Sequence, residues 1–290
     1  MSPHPVVAFI GTGVMGRSMA GHLLAAGYPL VVFNRTRAKA EPLLASGAEW
    51  ASSAGEAASR GEVVITMVGY PADVEDVYLA PGGIVERVRE GALLIDMTTS
   101  TPSLAERIAE AAVIRGLSAL DAPVSGGDIG AREARLTIMV GGDEAAFLRA
   151  LPLFEVMGRT VTHMGGPGTG QHTKMANQIA IAGTMLSVVE SLAYARATGL
   201  DPGRVLGAIS AGSAGSWSMS NYGPRILASD LAPGFYVKHF IKDLRIALAE
   251  ATAAGIDLPG LELADRLYER LAAEGGAELG TQALWQLYQE

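Results

Sequence analysis

One lysine of the sequence is well placed to transfer protons. Lys174 lies early in a long apolar stretch, and the amide side chains of Asn177 and Gln178 follow three and four positions later. On a helix, residues at these spacings share one face, so the ammonium group and the two amides would lie together. Partial burial lowers the pKa of a lysine and suits it to acid and base catalysis, whereas the alternative is a surface lysine with its stem along the helix. The spacing predicts a proton-transfer site.

A glycine-rich segment near the N-terminus has the spacing of a dinucleotide cradle. It follows the apolar run Val6–Ile10 and consists of Gly11, Thr12, Gly13, Val14, Met15 and Gly16. In such a segment the first glycine permits a tight turn, the second lets the backbone approach a pyrophosphate, and the third lets helix and strand pack closely. The N–H groups at the helix start attract the anion. The alternative is a purely structural turn, but the preceding strand and the following helix favour cofactor binding.

The residues after the second predicted strand indicate which dinucleotide is preferred. Many NAD-selective proteins carry a carboxylate here for the ribose 2′-hydroxyl, whereas this chain has Asn34, Arg35 and Thr36. An arginine fork and a hydroxyl can bind a 2′-phosphate, so we expect NADP(H) to be preferred, with NAD as the alternative cofactor. Arg35 could instead be a solvated side chain at a helix start that Thr36 caps.

Two segments that follow other predicted strands are expected to lie along the cofactor. Met67 and Val68 end one run of apolar residues, and Thr99 lies within the polar segment Thr98–Ser100. Ligands of open parallel sheets bind outside the carboxyl ends of the strands, which is where these residues would lie. For Thr98–Ser100, helix capping is the alternative.

The segment after the predicted strand Ser118–Ala122 has the composition of an anion site. A hydroxyl at Ser125 and the backbone N–H groups of Gly126 and Gly127 can form a concave set of donors for a carboxylate. Taken from the residues alone, an ordinary turn explains the segment equally well.

The elements that must position these residues fall into two classes. Up to about Gly165, short β-branched runs alternate with helical segments, which is typical of a parallel sheet built from βαβ units. Helical sequence follows, beginning with a long predicted helix over Gln171–Thr198, apolar around much of its circumference, and ending with Thr281–Tyr288. The fold class is therefore α/β: a doubly wound, Rossmann-type domain at residues 1–165, then a long interdomain helix and an all-helical domain at residues 166–290.

The composition excludes several classes of function. The 290 residues carry a formal net charge of −8, which disfavours nucleic acid and anionic membranes as partners. The absence of cysteine excludes disulfides and thiolate chemistry, and the scattered histidines have no metal-ligand spacing. Neither a signal peptide nor an uninterrupted apolar run of ~20 residues is evident. We expect a cytoplasmic protein without a metal site.

Four segments, taken in order along nearly the whole chain, resemble the β-hydroxyacid dehydrogenase family. They are Phe9–Gly16, Asp121–Gly127, Gly168–Gly170 with Lys174, Asn177 and Gln178, and Lys242–Leu244. The family includes 3-hydroxyisobutyrate dehydrogenases, tartronate semialdehyde reductases and glyoxylate or succinic semialdehyde reductases. The resemblance implies reversible hydride transfer between NADP(H) and a short, carboxylate-bearing β-hydroxyacid or semialdehyde.

The resemblance also implies roles for individual residues. It makes Lys174 the catalytic acid and base, and the turn from Ser125 to Gly127 the site of the substrate carboxylate. Many members carry asparagine at the position of Gln178, so either Asn177 or Gln178 could contact the substrate.

In the helical domain, the resemblance implies that Lys242 approaches the cofactor and that Asp243 helps to hold the cleft between the domains. Phe235 could wall the substrate pocket, although aromatic residues of helical domains lie more often in the core. A homodimer or homotetramer is expected.

Two other functions fit parts of this pattern. The chain also resembles imine reductases, which have the same architecture and cofactor preference. By that resemblance, imine reductases usually carry aspartate or tyrosine at the position of Lys174, so Lys174 argues against this class. A non-catalytic dinucleotide-binding protein would need the three glycines of the cradle, but not Lys174, Ser125 and Lys242 together.

Overall fold

The computed structural model describes residues 4–289. The chain divides into two compact units, Met1–Lys174 and Met175–Glu290. The sequence places the domain boundary after Gly165, whereas the division of the structure lies inside a helix, Thr169–Ala197, that starts in the first unit. The start of that helix, including Lys174, is therefore part of the first unit.

The first unit is built on a nine-stranded sheet. Its strands are β1 Val7–Ile10, β2 Leu30–Phe33, β3 Glu49–Trp50, β4 Val63–Thr66, β5 Leu93–Asp96, β6 Ser118–Asp121, β7 Val124–Ser125, β8 Leu136–Gly142 and β9 Gly158–Gly165. Six strands are parallel in the order β3-β2-β1-β4-β5-β6, which is the order of doubly wound dinucleotide-binding sheets. β8 is antiparallel to β6 and β7 and parallel to β9.

Helices cover both faces of this sheet. They are α1 Val14–Ala25, α2 Glu41–Ala45, α3 Ala54–Arg60, α4 Pro71–Leu79, α5 Ile84–Arg87, α6 Pro102–Ile114, α7 Gly127–Arg132 and α8 Glu144–Met157. Successive side chains of a strand point to opposite faces, so Phe9 of β1 joins one core with Met19 and Phe154, while Ile10 joins a second core with Ile108. Burial on both faces explains why these strands are continuous apolar runs.

The second unit is helical. After α9 Thr169–Ala197 it contains α10 Pro202–Ser210, α11 Trp217–Leu227, α12 Val237–Ala253 and α13 Pro259–Ala273. Phe240, Leu244, Tyr268 and Leu284 lie in its core, and the rings of Phe240 and Tyr268 meet edge to face at 5.0 Å. The last predicted helix, Thr281–Tyr288, is a 3-10 helix, because its turns close between residues three apart.

The helix α9 is long and apolar enough to span a membrane by length and composition, with a mean hydropathy of 1.3 over its most apolar window. Of that window, 44% is buried inside the structure. A single helix of this kind is weak evidence for a membrane segment, because the core helix of a water-soluble protein meets the same criteria. Its burial is not uniform: Val188, Val189 and Leu192 are buried, whereas a stripe that includes Ala176 and Tyr194 is exposed.

Candidate functional site

The glycine-rich segment forms a tight turn between β1 and α1. Gly11 has a φ of +97°, and a Cβ there would lie 2.2 Å from the carbonyl oxygen of Met67. A Cβ on Gly16 would lie 1.9 Å from the carbonyl oxygen of Gly11, so only glycine lets α1 pack against the turn. A Cβ on Gly13 would meet nothing within 4 Å, and α1 begins there without a side-chain cap. The turn therefore leaves open space in front of uncapped N–H groups, as a pyrophosphate requires.

Thr12 and Asn34 connect this turn to the end of β2. The Thr12 N–H donates to Asn34 Oδ1 at 2.9 Å, and Asn34 Nδ2 donates to the carbonyl oxygen of Thr36 at 2.8 Å. The Asn34 amide therefore braces the turn. Thr12 Oγ1 is buried and has no hydrogen-bond partner among residues 4–289, as expected of a hydroxyl that a bound group would satisfy. These residues fit a dinucleotide.

Arg35 lies at the surface beside α4. Its side chain is 88% exposed, and its Nη1 lies 3.2 Å from Asp73 Oδ1. The other oxygen of Asp73 accepts the N–H of Tyr70 at 3.1 Å. Thr36 is the N-cap residue of the 3-10 helix Arg37–Lys39, although its side chain makes no capping hydrogen bond. The exposure of Arg35 agrees with a solvated side chain at a helix start, and its role toward a 2′-phosphate stays a prediction.

The loop after β4 is adjacent to the cradle. Met67 and Val68 are half-buried, the Met67 N–H donates to the carbonyl oxygen of Ile10 at 2.8 Å, and the Val68 N–H donates to Thr98 Oγ1 at 3.0 Å. Thr99 is half-buried next to Thr98. The capping alternative for Thr98–Ser100 is wrong, because Thr101 Oγ1 caps α6 by accepting the N–H of Leu104 at 3.2 Å.

Ser125, Gly126 and Gly127 form the connection between β7 and α7. Ser125 pairs with Thr137 of β8, and the two glycines have φ values of +129° and +62°, in the region that favours glycine. All three residues are half-buried, and α7 begins without a side-chain cap. The segment is thus a short strand followed by a constrained turn, and its hydroxyl and N–H groups are suited to an anion.

A buried aspartate ends each of the strands β5 and β6. Burial raises the pKa of Asp96 to about 6, although hydrogen bonds from Thr66 and Thr98 oppose that increase. Burial also raises the pKa of Asp121 to about 6, and the N–H groups of Gly168 and Gln171 at the start of α9 oppose it. The sequence shows Asp121 within a motif but assigns it no role, and Gln171 was missed because its partners are distant along the chain.

Lys174 lies on α9 and is 6% exposed, so its ammonium group is largely removed from bulk water. Lys174 comes one helical turn after Gln171, whose N–H donates to Asp121 Oδ2. The structure therefore joins, within one unit, the dinucleotide cradle, the Ser125–Gly127 turn and a buried lysine.

The second unit contains a chain of polar side chains. Asn177 Nδ2 donates to Gln178 Oε1 at 2.7 Å, and Gln178 Nε2 donates to Asp243 Oδ2 at 2.6 Å. Asp243 Oδ1 lies 3.0 Å from Lys242 Nζ. Gln178 and Asp243 are each 1% exposed, whereas Asn177 is half-buried. These contacts occupy both ends of the Gln178 amide, which fixes its orientation.

Two neighbours complete this part of the second unit. Phe235 is half-buried and its ring meets that of Phe240 at 5.9 Å, so it packs on the helical core. The pKa of His239 is lowered, first by burial and then by the charges of Lys242 and Lys238.

The order of the strands and the cradle define a doubly wound dinucleotide-binding protein with a helical second unit. Residues 6–166 match the NAD binding domain of 6-phosphogluconate dehydrogenase, and residues 168–288 match the NAD-binding domain of NADP-dependent 3-hydroxyisobutyrate dehydrogenase. The chain belongs to the β-hydroxyacid dehydrogenase family. It is an NAD(P)-dependent oxidoreductase. The matched domains agree with NADP(H) as its cofactor, and NAD is the alternative.

Individual relatives agree with this assignment. The chain is 55% identical over 282 residues to an uncharacterized oxidoreductase of Bacillus subtilis, covering 97% of this chain and 98% of the relative. It is 39% identical over 280 residues to 2-hydroxy-3-oxopropionate reductase of Escherichia coli, covering 97% and 96%. The structure of Mycobacterium tuberculosis 3-hydroxyisobutyrate dehydrogenase with L-serine matches with a TM-score of 0.90 at 30% identity, covering 99% of this chain and 100% of that one.

Proposed function

We propose that this protein transfers a hydride between NADP(H) and a short β-hydroxyacid or the matching semialdehyde, with Lys174 as the acid and base. One observation supports this most directly: a lysine that is 6% exposed lies on the helix whose start is bonded to the same sheet that carries the cradle. A protein that only binds dinucleotides has no need to bury an ammonium group there, because burying a charge costs free energy.

Lys174 moves the proton. Bound NADP(H) supplies or accepts the hydride. In the reducing direction Lys174 Nζ donates a proton to the substrate carbonyl oxygen, and in the oxidising direction the neutral amine removes it from the alcohol. Such a positioned acid and base contributes about 10²–10⁴-fold to the rate.

The polar chain of the second unit supports a choice between the two amides as the substrate contact. Because Asn177 and Asp243 occupy both ends of the Gln178 amide, Gln178 is best suited to orient Asn177. Asn177 is half-buried, and its Oδ1 makes no hydrogen bond among the contacts of the described residues. We therefore assign substrate contact to Asn177 and orientation to Gln178, which Asp243 and Lys242 hold in place.

The Ser125–Gly127 turn is the proposed carboxylate site. Its hydroxyl and N–H groups can donate to an anion, and the positive φ values make the two glycines necessary for its shape. The relatives named above are a 3-hydroxyisobutyrate dehydrogenase and a 2-hydroxy-3-oxopropionate reductase, whose substrates are small carboxylates. We propose the same substrate class here, including semialdehyde acids such as tartronate and succinic semialdehyde.

The decisive experiment replaces Lys174 with methionine. This change keeps the length and apolar contacts of the side chain but removes the transferable proton, so we expect turnover to fall about 10²–10⁴-fold with NADPH affinity unchanged. Turnover is measured by nicotinamide absorbance in both directions, alongside NADPH titration and thermal melting. Near-normal turnover with a semialdehyde acid would contradict the lysine mechanism.

The same assay separates the alternatives. A panel of hydroxyacids, semialdehyde acids, neutral aldehydes and cyclic imines is offered with NADPH and NADH. Turnover of imines alone would indicate an imine reductase, and binding of NADPH without any turnover would indicate a non-catalytic dinucleotide-binding protein. The expected homodimer or homotetramer and the cytoplasmic location stay predictions, which light scattering and cell fractionation test.

A further inference from the structure

Gln171 lies at the centre of a buried hydrogen-bond network in the first unit. Its side chain is 0% exposed. Gln171 Nε2 donates to the carbonyl oxygen of Thr98 at 2.7 Å, and Gln171 Oε1 accepts the N–H of Ser100 at 3.0 Å. Both ends of the amide are satisfied, so the side chain has one orientation and ties the start of α9 to the segment after β5.

Asp121 binds the same start of α9 from the end of β6. Its Oδ1 accepts the N–H of Gly168 at 2.9 Å, and its Oδ2 accepts the N–H of Gln171 at 2.8 Å. A carboxylate in this place satisfies N–H groups that the helix cannot satisfy itself and interacts favourably with the positive end of the helix dipole.

Two glycines make this close approach feasible. A Cβ on Gly170 would lie 2.8 Å from Asp121 Oδ2 and 2.5 Å from the carbonyl oxygen of Met139. A Cβ on Gly141 would lie 2.5 Å from Asp121 Oδ1. The first turn of α9 is therefore seated directly on β6 and β8, and a shift of the helix along its axis or about it would break several of these contacts.

The network extends to the loop beside the cradle. Thr98 offers its carbonyl oxygen to Gln171, and its hydroxyl accepts the N–H of Val68 at 3.0 Å. The Thr98 N–H donates to Asp96 Oδ1 at 3.1 Å. Thr98 thus links the Met67–Val68 loop, which contacts Gly11, to the helix that carries Lys174.

We propose that Gln171 and Asp121 are positioning residues for Lys174, which fix the first turn of α9 relative to the Met67–Val68 loop and so set where the ammonium group lies. This inference rests on the proposed function, in which Lys174 transfers the proton. Gln171 precedes Lys174 by three positions, so any rotation that displaces one displaces the other. A misplacement of about 1 Å can cost about 10²-fold in rate.

The first test uses Gln171→Met, which keeps a side chain of similar length without either hydrogen-bonding end, and Asp121→Asn. We expect kcat to fall about 10- to 100-fold in each variant, with the Kd for NADPH changed less than about threefold. The matched control is Asp143→Asn, because Asp143 Oδ1 caps α8 by accepting the N–H of Ala146 at 3.0 Å. That variant should lose some thermal stability and keep its kcat.

The second test is a double-mutant cycle with Lys174→Met. If Gln171 acts through Lys174, adding Gln171→Met to Lys174→Met lowers the residual turnover no further. A further loss equal to that of the single variant would overturn the positioning role, because general structural damage is additive. A normal kcat in Gln171→Met, with Lys174→Met inactive, would overturn this inference alone, whereas normal turnover in Lys174→Met would overturn the proposed function.

The third test needs no cofactor or substrate. In the free protein, Asp121→Asn should accelerate hydrogen exchange at the N–H groups of Gly168 and Gln171, while amides of α8 keep their rates. Unchanged exchange at these positions would show that the carboxylate does not hold the start of α9. If Asp121→Asn does not fold, the Gln171→Met cycle still decides the proposal.

Discussion

Replacing Arg35 with alanine tests how this protein distinguishes NADPH from NADH. The Arg35 side chain is 88% exposed and its partner is Asp73 at 3.2 Å. An exposed ion pair of this kind contributes only about 0–1 kcal/mol to stability. The guanidinium can therefore turn from Asp73 to a 2′-phosphate at small cost, and Arg35→Ala should leave the fold intact.

The size of the effect follows from the type of contact. A charge-assisted hydrogen bond is worth about 1.5–3 kcal/mol, which corresponds to about 10- to 100-fold in affinity. Arg35→Ala should therefore weaken NADPH about 10- to 100-fold and change NADH less than about twofold. Asp73→Asn should strengthen NADPH by up to about fivefold, because it removes a competing negative charge while the amide oxygen can still accept the Tyr70 N–H.

The assay is fluorescence titration of both nucleotides at low and moderate ionic strength. Arg107→Ala is the matched control, since Arg107 is also an exposed arginine and pairs with Glu75 of α4 at 2.7 Å. It removes the same charge from α6 and should weaken NADPH binding little. The reasoning would be refuted if Arg35→Ala weakened NADPH and NADH equally, or if Arg107→Ala matched its effect.

Three further predictions concern the first unit. Gly16→Ala should lower both the melting temperature and NADPH affinity, because its Cβ would lie 1.9 Å from the Gly11 carbonyl oxygen, whereas Gly13→Ala should melt normally and lose NADPH affinity alone. Since the pKa of Asp96 is raised by burial to about 6, its protonated form is favoured on folding, and its contribution to stability is lost as the pH rises through 6. Urea unfolding at pH 5 and pH 7.5 should therefore show that lowering the pH raises the free energy of unfolding of the wild type by about 1 kcal/mol more than that of Asp96→Asn. An equal change in the two proteins would contradict a raised pKa of Asp96. Ser125→Ala should raise the KM for a semialdehyde acid several-fold with NADPH affinity unchanged; no difference between charged and neutral aldehydes would argue against the carboxylate site.

Much of the fold was predictable because its signals are local. The apolar runs of β1, β4 and β5 are buried on both faces and so form continuous apolar segments in the sequence. Gly11 and Gly16 are required by steric contacts around one turn. The doubly wound class is confirmed. β3 and β7 are pairs of residues whose strand character comes from their neighbours in the sheet, so no sequence period could indicate them.

The site was less predictable because many of its partners are backbone groups far along the chain. Asn34 is predicted to contact the cofactor, and its position in the sequence gives no sign that its amide also bonds to Thr12 and Thr36 and braces the turn. Gln171 binds the segment around Thr98 through contacts that no spacing rule describes. The orientation of Gln178 depends on Asp243 in another helix, and the spacing of Asn177 and Gln178 along the sequence cannot reveal that contact.

The seating of α9 on β6 also bears on how proteins of this kind could be recombined. The two matched family regions meet between residues 166 and 168, which invites an exchange of halves at that junction. Such a chimera would take the first turn of α9 from one parent and Asp121 from the other. The glycine at position 170, which lets the carboxylate approach the helix, would then come from a different protein than the carboxylate. A crossover after Lys174, at the division between the compact units, would keep Asp121, the N–H groups that it accepts and Lys174 in the same parental segment.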